Sequence, residues 1–256
     1  MAAAAQRAGL TAAVPSCPGW QVRDLLRHTG HVHRWAASYV VHRLTSEVAE
    51  MPEAEQLSSG PSDADLLGWF TAGHAALADA LAAAPADLAC WTFLEAPSPL
   101  AFWARRQAHE TTIHRVDAEL AAGSGVTGFG QAFAADGVDE LITGFLGRDA
   151  ARAAGNRATP PRRIRVLASD AGRAWEVGLT PDGQHVVLAG PAGEASARGE
   201  PDDLDGNHAD CTLAGPAAGL YLLLWNRADT GAAGVAAHGD VALLRSWRQG
   251  VRVTWE

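Results

Sequence analysis

The segment HETTIHR, residues 109–115, places Glu110 and His114 four positions apart. On a helix that spacing puts both side chains on one face within about 6 Å of each other, close enough for a carboxylate and an imidazole to share one metal ion. His109 is turned about 100° from Glu110 and is expected to point elsewhere. Glu/His pairs of this kind also decorate solvated helix faces without any chemistry, so the metal reading needs a third ligand from another element. An expected earlier helix offers His28, His31, His33 and His42, and spacing does not choose among them. Two neutral imidazoles and one carboxylate, with one position left open, form the ligand set of a catalytic rather than a structural zinc site. Nickel or iron would accept the same donors.

Other chemistries find little support. GSGVTG, residues 123–128, has the spacing of a dinucleotide loop, but it follows a helix instead of a strand and has no βαβ unit around it. There is no GxSxG elbow, Walker loop or HExxH pair. Cys17, Cys90 and Cys211 are odd in number and never form a CxxC pair, so they read as reduced thiols of a cytoplasmic protein. The aromatic residues Trp20, Trp35 and Trp103 read as core. A formal net charge of -9, with no arginine-rich run, argues against a nucleic-acid partner. No apolar stretch is long enough to cross a bilayer, and the opening MAAAAQRAGL lacks the cationic and apolar regions of a secretory signal. All the basic residues are Arg and Ala is abundant, a composition associated with GC-rich genomes such as those of actinobacteria.

The elements that must position these side chains can be read from spacing and punctuation. Ser16 and Pro18 announce a long first helix running through VRDLLRHTGHVHRWAASYVVHRL. A polar loop through Pro52 and Pro61 precedes a second helix, Asp63 to Ala84, with Leu66, Phe70, Leu77 and Leu81 at helical spacing. A third runs from about Phe102 to a glycine stop at Gly123 and carries Glu110 and His114. A fourth spans Gln131 to Ala154, with Phe133, Val138, Leu141, Ile142 and Phe145 on one side. After TPPRR the texture changes to short β-branched runs, RIRVLAS, AWEVGL and HVVLAG, one of them preceded by an Asp182-Gly183 turn. Two further helices, in GPAAGLYLLLWNR and DVALLRSWRQG, and a last strand, VRVTWE, complete the chain. The expected organisation is therefore a four-helix bundle over residues 1–157 and a small α+β domain with an antiparallel sheet over 158–256.

Taken together, VPSCPGWQVRDLLRHTGHVHRWA, ARRQAHETTIHRVDAE and FAADGVDELI resemble the N-terminal domain of the mycothiol-dependent maleylpyruvate isomerase family, a DinB-like four-helix bundle. DCTLAGPAAGLYLLLWNR and GDVALLRSW resemble that family's C-terminal domain, which is similar to sterol-carrier-like α+β folds. The resemblance implies metal ligands at His28, Glu110 and His114, and a functional arginine at Arg227. An arginine after an apolar helix also serves as a helix C-cap. Asp117, one turn beyond His114, is placed either to orient a ligand or to face solvent. The cofactors implied are a divalent ion, zinc first, and mycothiol; the partners are a small-molecule substrate and this thiol, and oligomeric state is left open. The activity implied is cis–trans isomerisation of an unsaturated keto acid by a metal-activated thiolate. Transfer of mycothiol onto an electrophile, or metal or small-ligand binding without catalysis, stand as alternatives.

Overall fold

Ser98 accepts a hydrogen bond from the backbone N–H of Ala101 and is followed by Pro99, whose fixed φ and missing N–H suit a first helical turn. This start launches the longest helix of a computed structural model that describes residues 1–48, 51–148, 161–179, 185–192 (backbone only) and 209–251. The chain divides into two compact units, Met1–Thr127 and Gly128–Glu256.

Unit 1 is helical. It contains α1 (Ala2–Ala8), α2 (Val22–His42), α3 (Glu53–Ser58), α4 (Asp63–Ala83) and α5 (Pro99–Ala121). Helix α2 begins later than Ser16 and Pro18 suggest. Gln21 and Asp24 form a reciprocal capping box that fixes the start at Val22, while Gly19 turns the chain at a φ of 89°. Residues 16–20 thus form a loop. The segment expected as a polar loop folds into α3, which proves important for the site. The second helix lies where apolar spacing places it, and the third starts at Pro99, three residues before the expected Phe102. Val22, Leu25 and Leu26 of α2 pack with Leu66 and Phe70 of α4, Ala118 of α5, and Ala4 and Ala5 of α1. Close approach of α2 and α4 requires Gly30, because a methyl group there would strike the Trp69 ring.

Unit 2 opens with α6 (Gln131–Asp139), which runs on into a π-helical stretch, Glu140–Leu146. The expected fourth bundle helix therefore belongs to this unit, and the division falls at 127/128, not near 158. Its apolar face packs on α7 (Ala217–Leu224), and two indoles tie it down. Trp225 Nε1 donates to the carbonyl of Gly137, and Trp175 Nε1 donates to Asp139. The part of this helix expected beyond Arg148 lies outside the described residues.

The sheet comprises β1 (Arg162–Ala168), β2 (Arg173–Leu179), β3 (His185–Ala192), β4 (Cys211–Gly215) and β5 (Ala236–Gly239), in the order β3-β2-β1-β4-β5. The expected antiparallel sheet is in fact mixed. β1–β2, β2–β3 and β4–β5 are antiparallel, but the chain returns after β3 to the other side of β1, so β4 runs parallel to it with Ile164 opposite Cys211. Helices α8 (Thr230–Ala233) and α9 (Leu243–Gly250) complete the unit. The Asp182-Gly183 turn lies outside the described residues, as does the last expected strand apart from Val251. Cys17, Cys90 and Cys211 are free thiols. No helix among the described residues is long and apolar enough to cross a membrane.

Candidate metal centre

Helix α5 carries Glu110 and His114 one turn apart, and the capped start of α2 brings His28 to the same place. All three are buried, and one ligand atom from each lies within 4.8 Å of the other two; among the described residues they form the one such cluster of three. Oε1 of Glu110 lies 3.0 Å from Nε2 of His114 and 3.5 Å from Nε2 of His28. Of the four histidines offered by α2, geometry therefore selects His28. His31 turns to Ser59 Oγ at 3.2 Å, and buried His33 to Thr111 Oγ1 at 2.9 Å. His42 ends the helix, exposed.

The surrounding side chains determine what the cluster offers. Gln56 Nε2 donates to the carbonyl of Met51 at 2.6 Å, which leaves Oε1 of that amide facing His28 Nδ1 at 2.8 Å. An amide oxygen only accepts, so Nδ1 carries a proton and Nε2 is the ring atom turned to Glu110. Asp117 plays the same part for His114: its Oδ2 lies 2.8 Å from Nδ1, while its carboxylate also accepts from Ser16 Oγ and Cys17 Sγ. Asp117 is wholly buried, which settles its placement against the solvent-facing alternative. Two outer acceptors behind the Nδ1 atoms thus turn both Nε2 atoms toward one carboxylate oxygen, Oε1 of Glu110. Such a convergence needs a proton or a cation between the ligand atoms, and outer-shell acceptors behind the imidazoles are the usual companions of metal-ligating histidines. The donor set fits a divalent ion.

Electrostatics agree. For Glu110, burial alone would raise the pKa, but the facing His114 ring, hydrogen bonds from both histidines and Arg106 hold it well below the usual carboxylate range. For His114, burial opposes a charged ring, yet Glu110 and Asp117 override it and raise the pKa to about 9. In the ion-free chain a proton therefore sits where the cation would bind.

Residues 1–119 match the family model described as the mycothiol maleylpyruvate isomerase N-terminal domain, and residues 132–246 match the MDMPI C-terminal domain. The chain belongs to the mycothiol-dependent maleylpyruvate isomerase family. It is thus a mycothiol-associated protein of the isomerase type, and its two matched segments follow the two structural units. No curated protein and no solved structure matches it significantly.

Arg227 belongs to the second unit, just past α7. Its Nη1 donates to the carbonyl of Trp225 at 2.7 Å, and its backbone N–H to that of Leu222 at 2.7 Å, so it helps close the end of a helix whose C-cap residue is Trp225. Trp20 is not deep core; half-buried, its ring packs 5.1 Å from that of His28. Two contributors are not foreshadowed by motif. Gln56 carries no local signal, whereas Arg106, which donates to Glu110 Oε2 at 3.0 Å, stands at the readable i−4 position of the same helix.

Proposed function

We propose that this chain uses a divalent cation, held by His28, Glu110 and His114, together with the thiol of mycothiol, to isomerise a cis double bond conjugated to a carbonyl in a small keto acid of the maleylpyruvate type. The observation that supports this reading is the convergence of the buried His28 and His114 Nε2 atoms on Oε1 of Glu110, each ring held through Nδ1 by an outer acceptor. Zinc is the first choice of ion, since two imidazoles and one carboxylate leave a coordination position for an incoming ligand. When bound, the ion and the thiol would supply a sulfur nucleophile at neutral pH, whose reversible addition leaves the double bond single long enough to rotate.

The protein's own contribution is charge and orientation. Neutral His28 and His114 add no charge, and the single carboxylate of Glu110 leaves a divalent ion net positive. Gln56 and Asp117 hold the two rings against rotation through their Nδ1 atoms. Since the nucleophile comes from the cofactor, none of Cys17, Cys90 and Cys211 is required. Arg227 is assigned, from the family resemblance, to offsetting negative charge that develops on the substrate, a task for which a guanidinium is suited.

The test is an assay of the zinc-loaded chain with maleylpyruvate, with and without mycothiol. The expected result is a trans product whose formation needs both thiol and ion, with no stable adduct. Accumulation of a thioether adduct would replace isomerisation by thiol transfer, and turnover without thiol would exclude both. An Arg227→Ala variant is expected to keep its metal content and lose kcat.

A further inference from the structure

The two oxygens of Glu110 have different neighbours. Oε1 faces the two imidazole Nε2 atoms, while Oε2 accepts a hydrogen bond from Nη2 of Arg106 at 3.0 Å. Arg106 lies one turn earlier on α5 and is fully buried, so its guanidinium has no route to solvent that would release Glu110. We propose that Arg106 is a positioning residue: by occupying Oε2 it restricts Glu110 to one-oxygen coordination and keeps a position on the ion open for the thiol. The inference rests on the metal reading of the cluster.

A carboxylate can bind an ion through one oxygen or two. If Glu110 swung both onto the ion, the ligand set would become four protein donors and the incoming sulfur would have to displace one. A charge-assisted hydrogen bond to Oε2 opposes that swing. The helix supplies the geometry at no cost in reach, because i and i+4 side chains lie over one another. Arg106 also balances the carboxylate charge, so the ion keeps more of its own pull on a bound thiol.

The test loads the full-length chain with cobalt(II), whose visible bands are intense when four-coordinate and weak at higher coordination, and titrates mycothiol while following sulfur-to-cobalt charge transfer. The wild-type chain is expected to show intense bands and charge transfer. Arg106→Met is expected to show weakened bands and a thiol half-saturation raised at least about tenfold, the usual size of an outer-shell effect. Arg106→Lys, which keeps a cationic donor, is expected to recover both signals toward wild type. Should the buried Met variant not fold, Arg106→Gln, neutral and polar, carries the same expectation. A folded neutral variant with the wild-type spectrum and wild-type thiol half-saturation overturns the role of Arg106. A wild-type chain that takes up no cobalt overturns the metal reading beneath it.

Discussion

The two units fill their interiors in opposite ways. In unit 1 one helix, α5, buries Arg106, Gln107, Glu110, His114 and Asp117, whereas the interior of unit 2 is built from residues such as Ile164, Val166, Val177, Leu213 and Leu220. Glu140 is the single buried charged residue of unit 2 among the described residues. Burying charge is costly unless each group finds a partner, so the polar stripe of α5 is explained only by a network that compensates it. Packing sets the stability of unit 2; in unit 1 the same interior also holds the candidate metal centre.

Substitutions can break this contrast or sharpen it. His114→Ala, which removes a proposed ligand, is expected to weaken zinc binding at least about a thousandfold, beyond the loss typical of an outer-shell partner; competition with a coloured chelator measures it. Gly219→Ala in α7 makes the opposite case. A methyl group there runs into the carbonyl oxygen of Ala233, so denaturant unfolding is expected to show a loss of about 2–3 kcal/mol while zinc affinity stays within about twofold. Asp117→Asn leaves the site its three ligands but weakens the anchor on His114 Nδ1, and zinc affinity is expected to fall about ten- to hundredfold in the same assay.

A further effect concerns acid stability. His33 is held down to about 3, first by burial and then by the neighbouring His74. The unfolded chain takes up this proton near pH 6.5, while the folded chain refuses it until about pH 3. Its contribution is therefore intact above pH 6.5 and is lost as pH falls, by up to about 1.4 kcal/mol per pH unit. His33→Leu is expected to flatten that acid limb in unfolding curves taken from pH 7 to 4. An unchanged slope would mean that His33 is not buried as a neutral ring.

What could be read from spacing was whatever one element decides by itself. Glu110 and His114 share a helix, so their separation followed from helical pitch. His28 did not, since four histidines lie on α2 and spacing does not choose among them; the family resemblance pointed to His28, and packing brings it to α5. Arg106 occupied a readable i−4 position, but an arginine beside Arg105 on a helix looks like a solvated face. Gln56 was illegible: its role depends on a polar segment folding into α3 and on Met51 fixing its amide orientation. The apolar side of residues 131–146 declared a buried helix without declaring its neighbour, which is why the boundary moved to 127/128. Short β-branched runs marked β1, β2 and β3 as strands, but CTLAG is too short and too poor in β-branched residues to announce β4, hence the unforeseen parallel pair.

The central claim is that His28, Glu110 and His114 act together on one cation that displaces the His114 proton. Calorimetric titration with zinc near pH 7, repeated in buffers of different protonation enthalpy, tests it most directly. With the His114 pKa at about 9, the expected result is one ion per chain with about one proton released, and no such binding in a folded His28→Ala variant. Binding without proton release, or undiminished binding in His28→Ala, would contradict the account.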